Sequence, residues 1–179
     1  LPQKVPVILF FGLIRAYKGL DIFLEALARL PGVHALVAGE CYEDWATYQA
    51  LADRHGLADR LHVHLRFIPS EEVRNYFCAA DLLVQPYKTA TQSGISQIAY
   101  HFSLPMVVSD VGGLPEIVTN GVTGYVTPPD AEAVANAVRD FFAYERAATM
   151  RREVARERSR FSWEHLVQVL LPTQKEGSH

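Results

Sequence analysis

The sequence predicts an α/β fold: a Rossmann-like, doubly wound parallel sheet of about six strands. Three observations predict it. Short apolar runs recur without polar alternation, the pattern of strands buried on both faces. Segments of helical period separate them. Glycine or proline marks most of the junctions. Such alternation builds βα units, whose crossovers place helices on both faces of one parallel sheet.

The elements follow in order. Residues 5–11 are the first apolar run, and residues 12–18 a loop. Residues 19–30 carry Leu20, Phe23, Leu24, Leu27 and Leu30 at helical spacing, and Pro31-Gly32 ends them. A second strand covers 33–38 and closes at Gly39. A helix covers 45–55, with Gly56 as its C-cap. The third strand is placed at 61–67. Ser70 is read as the N-cap of the next helix, with Glu71 and Glu72 in the first turn. Cys78 is assigned to that helix's buried face. Strand 81–85 stops at Pro86, helix 94–102 follows, and then strand 106–109. A helix at 114–119 ends at Asn120-Gly121, and a short strand covers 124–126. Pro129-Asp130 opens a helix to about Tyr144. A charged helix at 146–158 and an amphipathic one at 161–171 complete the fold.

Composition bounds the function. The chain has 179 residues, 49% of them hydrophobic, enough for one domain with a core. A net charge of −3 argues against a general nucleic-acid binder. The two cysteines, Cys41 and Cys78, form no CxxC and suggest a reducing compartment without disulfides. No apolar run reaches the ~18–20 residues of a membrane span, and no signal peptide is visible. The abrupt start at Leu1 reads as a domain boundary. Residues 173–179 read as a disordered or expression-derived tail.

Two loops carry the candidate chemistry. Thr91, Gln92, Ser93 and Gly94 open the helix at 94–102. A helix start presents free N–H groups and a positive dipole end, which suits an anion such as phosphate. Gly94 lets a ligand approach the backbone. The first βα loop places Arg15 and Lys18 three residues apart, two cations able to neutralise a diphosphate. Alone they would be solvated loop cations. Both loops belong to the carboxyl edge of the sheet, where ligands of open α/β sheets sit. Gly112-Gly113 is read as a further turn into a helix, whose N-terminus Glu116 stabilises. No dinucleotide fingerprint or P-loop is present, so nicotinamide and P-loop readings lack support. His62 and His64 share one strand face without an evident third ligand, so no metal site is expected. His101, late on its helix, reads as a C-terminal cap. Arg146, Arg151, Arg152, Arg156, Arg158 and Arg160 are interleaved with Glu145, Glu153 and Glu157, as on a solvated, salt-bridged face, with weak contact to anionic lipid the alternative.

These segments together resemble the C-terminal, nucleotide-sugar-binding domain of family 4 glycosyltransferases, one lobe of a GT-B fold. The resemblance runs through residues 11–21, 36–40, 79–86, 104–108, 112–116 and 120–124. It implies that residues 1–172 are the donor-binding lobe and that an N-terminal acceptor domain is absent. It implies retaining transfer of a hexosyl group from a nucleoside diphosphate sugar, of UDP or GDP type, in polysaccharide or glycolipid biosynthesis. No cofactor is implied. The implied setting is cytoplasmic, at the inner membrane face. The isolated lobe is expected to be inactive.

The donor site implied by the resemblance comprises Gly12, Arg15, Lys18, Glu40, Phe67, Ile68, Pro69, Thr91, Gln92, Ser93, Gly94, Ile95 and Gln97. Arg15 and Lys18 would grip the diphosphate, and the backbone at Phe67, Ile68 and Pro69 would hold the base. The family's arginine commonly stands at the Leu13 position. A shift of two along an extended segment keeps the same face. The family's two glutamates fall at Ala90 and Ile98, so both acids are missing. Gln97 is the candidate for the ribose, and Thr91, Gln92 and Ser93 for sugar hydroxyls or phosphate. The alternatives are a degenerate, non-catalytic lobe and a GT-B epimerase or hydrolase lobe.

Overall fold

The computed structural model describes residues 5–144 and 146–158. Six parallel strands form one sheet in the order β3-β2-β1-β4-β5-β6. They are β1 (Val7–Phe11), β2 (His34–Ala38), β3 (Leu61–His64), β4 (Leu82–Gln85), β5 (Met106–Ser109) and β6 (Gly124–Thr127). The helices are α1 (Leu20–Ala28), α2 (Trp45–Arg54), α3 (Ser70–Ala79), α4 (Gly94–His101), α5 (Ala131–Ala143) and α6 (Arg146–Glu157). Every residue of β1, β4 and β5 is buried, as continuous apolar strands of a covered parallel sheet must be. Edge strand β3 is only part-buried.

Alternate strand residues feed two cores. Ile8, Phe10, Val37 and Val84 pack with Phe23 of α1, Ala52 of α2 and Phe141 of α5. Leu9, Phe11, Leu83 and Val108 pack on the other face with Phe77 of α3, Tyr100 of α4 and Val154 of α6. The sheet is therefore doubly wound. The order reverses between β1 and β4, whose following helices leave to opposite faces. Such a reversal opens a crevice at the carboxyl edge.

Several expectations need correction. Residues 114–119 form no α-helix but successive turns, with Leu114 N–H donating to Val111 O and Ile117 N–H to Leu114 O. With no helix at 114–119, Glu116 has no helix start to stabilise. Ser70 is the first residue of α3 rather than its cap; Pro69 occupies that position. β3 stops at His64, three residues before the expected end at Phe67. Cys78 is exposed. The buried stripe of α3 passes through Tyr76, Phe77 and the flanking Ala80, and Cys78 follows Phe77 onto the opposite face. The expected helix at 161–171 and the tail at 173–179 lie outside the described residues.

Candidate functional site

A cavity of about 720 Å³ opens at the carboxyl edge, where the loops after β1 and β4 part. Its first wall is the β1–α1 loop. Gly12 N–H donates to Ala38 O at 2.9 Å as the chain leaves β1. The segment then closes into a 3-10 turn, Ala16–Lys18, ended by Gly19 at φ 69°. A Cβ on Gly19 would lie 2.0 Å from Pro86 O, so only glycine lets this loop abut the end of β4. That contact delivers Lys18 into the cavity lining.

Lys18 is 8% exposed, and its Nζ lies 5.5 Å from the centroid of the Tyr87 ring. Burial first, and the charge of Arg15 second, hold its ammonium below the ordinary 10.5. Among the described residues no carboxylate forms an ion pair with it. A buried cation without a counter-charge is costly to the free protein, and an anion in the cavity relieves that cost.

The second wall is the β4–α4 loop. Ser93 occupies the N-cap of α4, but its hydroxyl makes no capping bond. Gln85 Nε2 donates to Ser93 Oγ at 2.8 Å and to Tyr87 Oη at 3.1 Å, and Ser96 Oγ donates to Gln85 Oε1 at 2.8 Å. All four side chains are buried. By contrast, Asp44 caps α2 and Asp130 caps α5 through their carboxylates. The first amides of α4 therefore remain open at the positive end of its dipole. The loop is braced from behind. Gly113 N–H donates to Thr91 O at 2.9 Å, and a Cβ on Gly112 (φ 54°) would lie 1.7 Å from Ala90 O. The Gly112-Gly113 turn thus supports the β4–α4 loop instead of starting a helix.

Of the expected site residues, Gly12, Lys18, Glu40, Phe67 and Ile68 line the cavity from one side. Thr91, Gln92, Ser93, Gly94 and Ile95 line it from the other. Arg15, Pro69 and Gln97 stand outside the lining. Arg15 stacks its guanidinium 4.5 Å from the Tyr42 ring centroid. Residues 13–15 are extended, with Arg15 at φ −140° and ψ 152°, yet Leu13 lines the cavity and Arg15 does not, its guanidinium held over Tyr42 instead. Pro69 caps α3 and leads the chain away. Gln97 is exposed, beyond the part of α4 that meets the cavity. Sequence reasoning missed Tyr17 and Tyr87 in the lining, and Gln85 and Ser96 behind it. The available signal was Gln85 itself, a polar residue ending the apolar run Leu82-Leu83-Val84.

Elsewhere, His34 Nδ1 and His62 Nε2 lie 3.1 Å apart, and His64 Nδ1 lies 2.8 Å from Tyr76 Oη. Among the described residues no three His, Cys, Asp or Glu side chains gather as a metal site. On α6, Arg146 pairs with Asp140 and Arg156 with Glu153, while Arg151 donates to Ala80 O. Among the described residues only the Arg156–Glu153 pair lies within α6 as the charge pattern suggested; Arg146 and Arg151 reach to neighbouring elements. Among the described residues no helix is long and apolar enough to cross a membrane.

Comparison with known proteins places this geometry in context. Residues 5–143 match the family described as glycosyl transferases group 1. D-inositol 3-phosphate glycosyltransferase of Mycolicibacterium smegmatis is 34% identical over 96% of the chain, which spans 40% of that protein. Sucrose-phosphate synthase from Thermosynechococcus elongatus superposes with a TM-score of 0.82 at 27% identity, over 97% of this chain and 47% of that one. Anabaena HepE, solved in complex with UDP, gives a TM-score of 0.82 at 25% identity over 93% of this chain and 48% of that one. The chain thus spans about two-fifths of the curated relative it matches.

Proposed function

The chain belongs to the group 1 glycosyltransferases, and from that premise we propose that it is the donor-binding lobe of such an enzyme. In this reading residues 1–172 bind a nucleoside diphosphate sugar, and a further domain supplies the acceptor. One observation carries the reading: Lys18, buried and, among the described residues, without a carboxylate ion pair, shares a cavity with the start of α4, which Ser93 leaves uncapped. A diphosphate fits that pair. Lys18 supplies a point charge and the α4 amides supply aligned donors. As the sugar departs, negative charge grows on the diphosphate, and groups already held in place stabilise it without reorganising. This scheme draws on the donor alone, with no cofactor. The relative solved with UDP supports a uridine nucleotide, and exposed Phe67 beside buried Ile68 offers an apolar wall for a base. The family premise supports transfer of a hexosyl group, with retention as the reading for the full enzyme.

The test is calorimetric titration of UDP, GDP and ADP into the chain, followed by an assay for sugar transfer. One nucleotide is expected to bind with 1:1 stoichiometry and no transfer is expected from this lobe alone. Failure of all three to bind, or transfer by the chain alone, overturns the reading. Ala90, apolar in the cavity lining, and Ile98, packed against the core, favour a second reading: a lobe that binds nucleotide without supporting transfer. Transfer by the chain joined to the rest of its protein would exclude that alternative.

A further inference from the structure

A serine at a helix N-cap ordinarily turns its hydroxyl onto the helix's own second or third amide. Ser93 occupies that position on α4 and does not do so. Its Oγ is taken instead by Gln85 Nε2 at 2.8 Å. Gln85 sits at the end of β4 and is 2% exposed, so its amide group must find protein partners. It finds three. One N–H goes to Ser93, the other to Tyr87 Oη at 3.1 Å, and its carbonyl accepts from Ser96 Oγ at 2.8 Å. Ser96 lies one turn into α4 and is wholly buried, so Gln85 grips that helix at both its cap and its first turn.

This bonding has two consequences. An N–H donor from Gln85 makes Ser93 Oγ and Tyr87 Oη acceptors on that side, and the two hydroxyls are also hydrogen-bonded to each other. Both residues line the cavity. The α4 amides also keep no side-chain cap, so they stay available to a ligand. An anion in the cavity would meet aligned amides and the Lys18 ammonium.

We infer that Gln85 is the positioning residue of this anion site: it withholds the Ser93 cap from α4 and so keeps the first amides of that helix open to the ligand. The inference rests on the donor-lobe reading for the identity of the ligand, but its geometry requires only an anion.

The test uses the 179-residue chain with three probes: UDP, inorganic pyrophosphate and uridine. Gln85→Met frees the Ser93 hydroxyl to cap α4. Affinity for UDP and pyrophosphate should fall about tenfold, the loss of one charge-assisted contact with the helix start, while uridine binding stays the same. Ser93→Ala added to Gln85→Met removes the competing cap and should recover most of the lost pyrophosphate affinity. A residue that only supported the fold would give no such recovery. Equal binding by wild type and Gln85→Met overturns the inference, as does a double variant no better than the single one. Wild-type binding of pyrophosphate but of no nucleotide, with the loss and recovery intact, supports the inference and overturns the donor-lobe reading. Binding of none of the probes overturns both. Should Gln85→Met fail to fold, amide exchange on the wild-type chain decides. The Gly94 and Ile95 amides should exchange fast when free and become protected by pyrophosphate; protection already present without ligand overturns the inference.

Discussion

Replacing Lys18 with Met separates binding from folding. The side chain is 8% exposed, and burial holds its ammonium below 10.5. The sign follows from linkage: a lysine whose folded value is depressed contributes stability above its unfolded value, and that stability is lost as pH falls through the folded one. At neutral pH the charged group therefore opposes folding. Met keeps the length and apolar stem while removing the charge, so the free chain should melt at the same temperature or higher. The ligand should behave in the opposite way. A hydrogen bond to a charged group contributes about 1.5–3 kcal/mol. With no carboxylate ion-paired to Lys18 among the described residues, the upper part of that range applies, about 2–3 kcal/mol. That converts to about a 30- to 150-fold loss of UDP affinity. Wild-type affinity should also fall as pH rises through Lys18's lowered range, whereas Lys18→Met should be insensitive there. Calorimetry at pH 7.5 to 10 and a thermal melt of each protein provide the readouts. A variant that binds UDP within threefold of wild type, or melts several degrees lower, refutes the reasoning.

Other predictions follow from neighbouring features. Gly112→Ala places a Cβ 1.7 Å from Ala90 O at φ 54°; left-handed strain alone costs about 1–3 kcal/mol. The melting temperature should fall by several degrees and UDP affinity should weaken as the 90–92 loop shifts, both checked on one preparation. Burial lowers the His62 imidazole below 6.5, with the nearby histidines adding to the effect. Its stabilising contribution is thus present above pH 6.5 and lost as pH falls through the folded value. Denaturant midpoints from pH 7.5 to 5 should decline, less steeply in His62→Gln. Cys78 is exposed on α3, whereas Cys41 is half-buried with Sγ bonded to Glu43 O at 3.3 Å. A thiol reagent should label Cys78 first under native conditions, as the Cys78→Ser variant would show.

The strands were legible because a sheet covered on both faces needs apolar runs, and those runs lie in the sequence at β1, β2, β4 and β5. The two anion-facing loops were legible through Lys18 and Ser93-Gly94, local signals at the ends of predicted strands. What escaped depends on partners distant in the chain. Arg15 is drawn off by Tyr42, and nothing in the first loop announces that stack. Gly112-Gly113 reads as a turn opening a helix, but its glycines are required because Ala90 and Thr91 pass against them. Cys78 sits among apolar neighbours yet one step off the buried stripe, a distinction that helical phase could have made. The Gln85 network spans 11 residues from strand to helix, and its geometry appears only once β4 and α4 are packed.

The most direct test is an amide chemical-shift titration of the 15N-labelled chain with UDP. The account predicts saturable shifts at Gly12, Gly39, Gly94 and Ile95, around the cavity that holds Lys18. Shifts confined to other surfaces, such as the His62–His64 face of β3 and α3, or no saturable shifts at all, would contradict it.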